Sequence, residues 1–308
     1  MNNLVKILDC DVVFLSYDEP NADQNYNQLL TFIPWAERVH GVTGSDAAHK
    51  ACANLATTER VVIVDGDNFM TQLGFLDQTI QIDDETIDLS KSVISWPSRN
   101  TINGLVYGNG GIKCWNRDTI LNMKTHEAAD PNNLRAQVDF CWDINYIPLD
   151  TVFTDIRNNT TSYQAWRAGF REGVKMSLNE GLKVEHLGQL WKGNLDRLAV
   201  WMMVGSDIDN GEWAIYGARL GCYMTHFTDW DHTNVRNFDY LDDLWNMSVK
   251  DLSLDMLKEK SIEIGNIINS QLSIGEPLSP EQSKFFKRFE FNANRQSVLT
   301  KILYEQFN

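Results

Sequence analysis

The sequence predicts an α/β protein whose first half contains a parallel sheet covered by helices. Residues 61–64 are four consecutive β-branched residues, a pattern typical of a strand that is buried on both faces. Two strand–helix units precede that strand. The run ends abruptly at Asp65-Gly66-Asp67-Asn68, which places two carboxylates at the carboxyl end of the strand. Open α/β sheets bind their ligands at that end.

The elements before this strand follow from hydrophobic runs and capping residues. Residues 11–17 predict the first buried strand, and the helix after it should end close to Pro34, because proline cannot continue a helix. A short strand is expected at residues 38–42. Ser45 is the predicted N-cap of a helix over residues 46–56. This alternation of strands and helices is typical of a parallel sheet.

The Asp65–Asp67 pair has two interpretations. Mg²⁺ and Mn²⁺ take oxygen ligands and commonly share one or two carboxylates with substrate phosphates, so the pair predicts a metal-bridged nucleotide site. Gly66 would let the backbone approach the ligand closely. The same four residues are also ordinary turn composition. Both interpretations stay open at this point.

Composition points to a globular protein without a membrane partner. The chain has 308 residues, of which 43% are hydrophobic and 22% are charged. It contains no run of roughly 20 apolar residues, and its N-terminus lacks the features of a signal peptide. Its five cysteines are scattered without metal-binding spacing. We therefore expect reduced thiols and a cytoplasmic location.

The charge distribution is uneven. A net charge of −15 argues against a broad nucleic-acid surface, yet residues 156–200 contain seven Lys or Arg and only four Asp or Glu. Within that segment Arg167, Arg171 and Lys175 repeat every four residues, which places them on one face of a helix capped by Ser162. Such a basic stripe is usually solvated. Its location in the basic segment favours contact with phosphates.

The same predicted helix carries an apolar face and two glycines. Tyr163, Trp166 and Phe170 are spaced by three and four residues and should face the core. Gly169 and Gly173 cost helix stability, on the order of 1 kcal/mol each relative to alanine. A close crossing with another helix would offset that cost.

The strand that ends in Asp-x-Asp, preceded by a helix with small residues and Lys50, resembles the nucleotide-binding half of GT-A glycosyltransferases. The resemblance covers about residues 8–155. It implies a GT-A, Rossmann-like nucleotide-sugar-binding domain over residues 1–235, with a nucleotide-binding half (8–115) and an acceptor half (116–235). Residues 236–308 would form a helical C-terminal extension. The implied donor is a UDP-sugar, and the implied cofactor is Mn²⁺ or Mg²⁺.

The resemblance also implies roles for individual residues. The contacts with the nucleotide sugar would come from the following positions: Ser16, Tyr17, Glu19, Lys50, Asp65, Gly66, Asp67, Asn109, Gly110 and Gly111. For the glycine-rich segment a bulged hairpin without a ligand stays the alternative.

The implied metal ligands are Asp65, Asp67 and a histidine from the C-terminal side of the fold. We expect His226 in a strand–loop position, with His186 as its competitor. Asp139 would face the acceptor hydroxyl as general base or positioning residue, and a solvated aspartate is the alternative.

Residues 106–115 and 158–176 further resemble glycosyltransferases of tailed phages, among them enzymes that modify 5-hydroxymethylcytosine in DNA. That resemblance implies transfer of glucose or arabinose to duplex DNA in the host cytoplasm, by a monomer or small homo-oligomer. Arg167, Arg171 and Lys175 would contact the DNA. A saccharide or lipid acceptor and a non-catalytic DNA- or carbohydrate-binding module are the alternatives. A haloacid-dehalogenase-like phosphatase is disfavoured, because Asn68 follows the motif and the motif lies far from the N-terminus.

Overall fold

The computed structural model describes residues 4–81, 87–108, 110–138 and 145–288. These residues form two compact units. The first comprises the described residues up to 99 and those between 106 and 157, and the second comprises residues 100–105 and those from 158 onward. The predicted domain boundary near residue 235 therefore falls inside the second unit.

The first unit contains most of the strands. In chain order its elements are β1 (Leu4–Lys6), β2 (Asp11–Ser16), α1 (Ala22–Phe32), β3 (Glu37–His40), α2 (Ser45–Leu55), β4 (Arg60–Asp65), β5 (Asn68–Met70), β6 (Thr79–Gln81), β7 (Ser92–Ser95), β8 (Ser98–Asn100), β9 (Val106–Tyr107), β10 (Lys113–Asn116), α3 (Arg117–Asn122), α4 (Leu134–Val138), β11 (Asn145–Pro148) and β12 (Thr154–Ile156).

A mixed six-stranded sheet forms the centre of this unit, with the strand order β11-β7-β10-β4-β2-β3. Strands β3, β2 and β4 are parallel, as predicted. The expectation of a parallel sheet is wrong beyond them, because β10 runs antiparallel between β4 and β7. Strand β11 is parallel to β7. The strand that carries the Asp-x-Asp motif therefore lies in the middle of the sheet.

Strand β4 is buried on both faces, which confirms the prediction. Val62 and Val64 pack in a cluster that includes Leu29 of α1. Val61 and Ile63 point to the opposite face and pack in a second cluster with residues of α2. Polar side chains lie only at the two ends of the strand: Arg60 at its amino end donates to backbone carbonyls, and Asp65 lies at its carboxyl end.

A second sheet, of order β5-β12-β8-β9, continues the chain after the motif. Strand β5 begins at Asn68 and pairs antiparallel with β12. Strands β8 and β9 form a hairpin, and Gly104 in its turn has a φ of +76°, a conformation that favours glycine. The pair Asn103-Gly104 is a sequence typical of such a tight turn.

The second unit is mainly helical. In chain order its elements are α5 (Ser162–Met176), β13 (Leu178–Asn179), β14 (Leu182–Lys183), α6 (Lys192–Met203), α7 (Gly211–Phe227), α8 (Phe238–Ser248), α9 (Leu254–Ile268) and α10 (Pro280–Phe286). Helix α7 packs against α5, α6 and α9. Within the described ranges, no helix combines the length and the apolar character needed to cross a membrane.

Helices α5 and α7 cross with their backbones in contact. Each helix contributes two glycines to the crossing: Gly169 and Gly173 in α5, and Gly217 and Gly221 in α7. A Cβ atom at any of these four positions would overlap backbone atoms of the other helix. Trp166 and Phe170 of α5 are fully buried beside the crossing. The predicted close crossing and the predicted core-facing stripe are both confirmed.

Two predicted helix caps are wrong by one residue. Gly44, rather than Ser45, precedes α2, and the Glu127 carboxylate accepts a hydrogen bond of 2.5 Å from the Asp46 N–H. Thr161, rather than the next residue, caps α5 through its side-chain oxygen. A carboxylate from a distant part of the chain replaces the local cap at α2, and the local sequence contains no sign of it.

Gly169→Ala tests the crossing. Alanine normally stabilises a helix by about 1 kcal/mol relative to glycine, but the Cβ would overlap the backbone of Ala214, and overpacking costs about 1–3 kcal/mol. We therefore expect urea denaturation to show a lower free energy of unfolding. Gly193→Ala is the matched control, because the nearest atoms to its Cβ belong to the exposed, movable ring of Trp191. Stabilisation by both substitutions would contradict the crossing.

Candidate functional site

The candidate site is the turn at residues 65–68, which links β4 to β5. Its backbone is held from two sides. The side-chain amide of Asn25, a fully buried residue of α1, donates to Gly66 O at 2.9 Å. The backbone N–H of Arg157 donates to Asp67 O at 2.8 Å. The protein itself therefore fixes the course of the turn.

Three carboxyl groups interact at this turn, those of Asp65, Asp67 and Glu19. Glu19 comes from the loop after β2. A Cβ atom on Gly66 would lie 2.6 Å from Glu19 Oε2 and 3.0 Å from the Cβ of Ser16. A side chain at position 66 would therefore force the Glu19 carboxylate to move away from the turn.

Burial and repulsion raise the pKa values of these acids. Burial raises the pKa of Asp67 to about 7, and the negative charges of Asp65 and Glu19 add to the shift. Burial also raises the pKa of Glu19, with a further contribution from Asp65. The ammonium group of Lys113 acts in the opposite direction on Asp67. The positive charge of Lys113 therefore offsets only part of the effect of burial and of the neighbouring carboxylates on Asp67.

The donor atoms at the turn fit a hard divalent cation. Carboxylate oxygens are the ligands that Mg²⁺ prefers, Mn²⁺ accepts them as well, and a cation would remove the repulsion between the acids. In the part of the chain that the structure describes, no group of three or more His, Cys, Asp or Glu side chains is arranged to hold a metal. A bound ion would therefore complete its coordination with water or with phosphate oxygens.

Two ionisable side chains near this turn, Lys113 and His49, were not predicted from the sequence. Lys113 of β10 is paired with Ile63 of β4, and its Nζ donates to Gly111 O at 3.3 Å. Burial lowers the pKa of His49 in α2, and the negative charge of Asp65 opposes that shift. The sequence offered a sign of Lys113, which is the single charged residue in the segment after Gly111 that forms β10. Nothing in the sequence distinguishes His49 from other histidines in helices.

The glycine-rich segment, at Gly110, also approaches the carboxylate of Asp65. Gly110 has a φ of +97°, which favours glycine, and a Cβ atom there would lie 3.5 Å from Asp65 Oδ2. At Gly111 a Cβ atom would overlap Trp96 O of the neighbouring chain segment, so close packing within the protein is sufficient to require glycine there.

The end of β2 provides one buried and one exposed side chain. Ser16 is 2% exposed, and its hydroxyl lies 3.0 Å from both Arg38 Nε and His40 Nδ1. Its hydrogen bonds are therefore made inside the protein. Tyr17 is 48% exposed, while its backbone N–H donates to Glu19 at 2.8 Å. The nucleobase contact of these two residues stays a prediction, and Tyr17 is the one with accessible surface.

Lys50 has a partner on its own helix. Its Nζ lies 2.6 Å from the carboxylate of Asp46, one turn earlier in α2. The same carboxylate also accepts a hydrogen bond of 3.2 Å from the Thr125 N–H. A contact between Lys50 and a nucleotide stays a prediction, and it would compete with this ion pair.

Two predicted site residues, Asn109 and Asp139, lie outside the described residues. Asp143, four residues after Asp139, lies outside them as well. Helix α4 ends at Val138, directly before this part of the chain. The catalytic role of Asp139 therefore stays a prediction.

His226 belongs to the second unit and lies in the last turn of α7. The expected strand–loop position is wrong, because the apolar run before it is helical. The Nε2 atom lies 2.6 Å from Ser177 O, so Nε2–H donates to that carbonyl and only Nδ1 would suit a metal. The competitor His186 caps a short helical turn by accepting from Gly188 N–H at 3.1 Å. Metal binding by either histidine stays a prediction.

The basic stripe also belongs to the second unit, where all three side chains are half-buried on α5. The guanidinium carbons of Arg167 and Arg171 lie 5.2 and 5.0 Å from the ring centroid of Phe238. Lys175 Nζ lies 4.0 Å from the carboxylate of Glu172. These contacts hold the stripe in place, and its role in binding DNA stays a prediction.

Comparisons with known proteins give no family assignment. No protein-family model matches the chain, and no curated protein matches it. A similar solved structure is the mannosyltransferase PcManGT from Pyrobaculum calidifontis in complex with GDP-Man and Mn²⁺. It is 12% identical, the match covers 82% of this chain and 85% of that chain, and the TM-score is 0.33. A likeness this distant carries no argument about function.

The raised pKa of Asp67 predicts how stability depends on pH in metal-free protein. In the folded state Asp67 keeps its proton to about pH 7, whereas the ordinary value is 3.8, so the folded state binds more protons between these values. The free energy of unfolding should therefore fall as the pH rises through that window. The free energy of unfolding of Asp67→Asn should fall less over this window. At about pH 8 the variant should therefore be more stable than the wild type, by up to a few kcal/mol.

Urea denaturation in EDTA at several pH values measures this difference. Asp77→Asn, which removes the same charge at an exposed position, is the control. Parallel pH curves for wild type and Asp67→Asn would show that the carboxyl group is not held in a strained, charge-rich site.

Proposed function

We propose that this chain is a metal-dependent glycosyltransferase that takes its sugar from a UDP-sugar. The observation that carries the proposal is the convergence of Asp65, Asp67 and Glu19 at the carboxyl end of a buried, central strand. A fold gains no stability from buried carboxyl groups that repel each other. Their arrangement is explained if a cation and a diphosphate complete the site.

Different residues of the chain would bind the metal, support the turn and contact the phosphate. Asp65 and Asp67 would hold Mn²⁺ or Mg²⁺, which when bound neutralises the diphosphate leaving group as a Lewis acid. Asn25 and the backbone of Arg157 keep the turn in one conformation. Lys113 adds a positive charge at the same edge of the sheet, where it suits a phosphate oxygen.

The donor base and the acceptor would involve other residues. The exposed ring of Tyr17 offers a surface on which a nucleobase can stack. Asp139 is our candidate for the group that orients or deprotonates the acceptor hydroxyl. A general base must lie within hydrogen-bond reach of the proton that it removes.

Calorimetry with UDP tests the donor site. We expect wild-type protein to bind UDP with Mn²⁺ or Mg²⁺ and to lose most of that affinity in EDTA. Asp65→Asn and Asp67→Asn should abolish the metal dependence without unfolding the protein, because each removes one of the oxygen ligands. Asp77→Asn should bind as wild type does. UDP affinity that is equal with and without metal in all variants would overturn the site, and tighter binding of GDP would correct the donor.

For the acceptor, we propose 5-hydroxymethylcytosine in duplex DNA. The proposal is supported by the basic stripe in the positively charged segment and by the resemblance of residues 106–115 and 158–176 to phage enzymes. The hydroxymethyl group on C5 projects into the major groove, and an enclosed site would require the base to leave the stack, at a cost of a few kcal/mol.

Charge substitutions test the stripe. We expect each of three substitutions to weaken DNA binding by a factor that does not depend on the DNA sequence: Arg167→Gln, Arg171→Gln and Lys175→Gln. Each should also reduce the slope of log affinity against log salt concentration by about one unit per lost phosphate contact. Lys250→Gln, at an exposed position of the same unit, is the control for lost charge alone. Fluorescence anisotropy over a salt series measures both quantities. Equal effects of all four substitutions would contradict a specific DNA surface.

A transfer assay decides the acceptor. Hydroxymethylated and unmodified duplexes are incubated with UDP-glucose or UDP-arabinose, and the mass of the digested nucleosides is measured. A mass gain on hydroxymethylcytosine alone supports the proposal. Transfer to a saccharide or lipid, with none to DNA, would overturn the DNA acceptor and keep the enzyme class. Ligand binding without turnover on any acceptor would indicate a non-catalytic binding module.

A further inference from the structure

Asn68 follows the Asp-x-Asp motif directly, and its side chain is at the centre of a buried hydrogen-bond network. The residue is 1% exposed. Its Nδ2 donates to Asp67 Oδ1 at 3.1 Å and to Gly110 O at 2.6 Å. Its Oδ1 accepts from Ser98 Oγ at 3.0 Å and from Thr154 Oγ1 at 2.7 Å. All the donors and acceptors of this amide are therefore used inside the first unit.

The surroundings specify an asparagine and its orientation. When Asp67 is ionised, its carboxylate and the Gly110 carbonyl can only accept, and both lie on the Nδ2 side; two hydroxyls lie on the Oδ1 side. Only an amide combines two N–H donors with a double acceptor at this length. A flipped amide would place its oxygen against the two acceptors, so the network determines the orientation. An ionised aspartate would supply no donor to Asp67 or Gly110.

This side chain connects two parts of the site that are far apart in sequence. Gly110 approaches Asp65, since a Cβ atom on it would lie 3.5 Å from Asp65 Oδ2. The amide of Asn68 bonds both to Gly110 O and to the Asp67 carboxylate. The positions of both carboxylates are therefore tied to Gly110: Asp65 lies close to it, and Asp67 is linked to it through Asn68.

We propose that Asn68 is a positioning residue, which orients the Asp67 carboxylate for the metal and fixes the Gly110 segment beside it. The inference rests on the proposed function, because it assigns Asn68 a part in the same site. A carboxylate that is already held by an N–H donor loses little conformational freedom when it binds a cation. The metal ligand and the glycine segment then form one rigid unit before the donor binds.

Asn25 separates this role from ordinary support of the turn. It is the same residue type, it is equally buried, and its amide also donates to the turn. Its bond goes to the backbone carbonyl of Gly66 and to no carboxylate. If Asn68 merely supported the turn, truncating either asparagine would have the same effect on metal binding.

The test compares Asn68→Ala with Asn25→Ala in the full chain. Circular dichroism identifies a temperature at which both variants are folded. Calorimetry then measures the affinity for Mn²⁺ in the presence of UDP. We expect this affinity to fall about tenfold or more in Asn68→Ala, as for a lost hydrogen bond to a charged group, and less than about threefold in Asn25→Ala, whose lost bond goes to a neutral carbonyl.

Hydrogen exchange of the metal-free protein gives an independent readout. The backbone amides of residues 110–113 should exchange at least about tenfold faster in Asn68→Ala than in wild type, and Asn25→Ala should leave them within about threefold. If Asn68→Ala does not fold, Asn68→Leu replaces it in this measurement. Leucine is close to asparagine in size but has no donor for Asp67 or Gly110, so exchange should rise again.

The outcomes separate this inference from the proposed function. Wild-type protein that binds no Mn²⁺ with UDP overturns the proposed function, and the exchange of residues 110–113 still decides whether Asn68 holds that segment. Metal-dependent binding in wild type, with equal losses in Asn68→Ala and Asn25→Ala, overturns the positioning role alone. Unchanged exchange in both Asn68 variants overturns it as well.

Discussion

The candidate site depends on one constraint, the burial of carboxyl groups that also repel each other at the carboxyl end of β4. Two unit charges 4 Å apart repel by about 4 kcal/mol at an effective dielectric constant of 20. The protein holds Asp65, Asp67 and Glu19 together despite this cost, using a fully buried strand, Asn25 and Asn68. Such an arrangement costs stability, and a cation that binds there would return it. The cost of holding these acids together and the proposed function of the site therefore have the same physical origin.

The second unit depends on a different constraint, the backbone contact between α5 and α7. Four glycines make that contact, at a cost in helix propensity that tight packing offsets. The crossing also fixes the face of α5 on which Arg167 and Arg171 stack against Phe238. Stacked guanidinium groups keep their charge while losing side-chain freedom, which suits them to contact phosphate without a large ordering cost.

The sequence was sufficient for features that local pattern determines, and insufficient for those that distant residues determine. The buried strand, the parallel strands around it and the glycine crossing followed from β-branched runs and helical spacing. The antiparallel β10 did not, because strand direction within a sheet depends on chain path. Asn68 looked like a turn residue, since its partners Ser98 and Thr154 are 30 and 86 positions away. The repulsion between Glu19 and Asp67 could not be predicted either, because these residues are also far apart in the sequence.

The proposed site at the turn after β4 would bind a metal and a nucleotide diphosphate together. Nuclear magnetic resonance can test this by comparing the backbone amide signals of the UDP complex with diamagnetic Mg²⁺ and with paramagnetic Mn²⁺. We expect Mn²⁺ to broaden selectively the signals of residues 65–68, 110 and 111. Broadening that is centred on another part of the chain, or equal spectra with the two metals at saturating UDP, would contradict it.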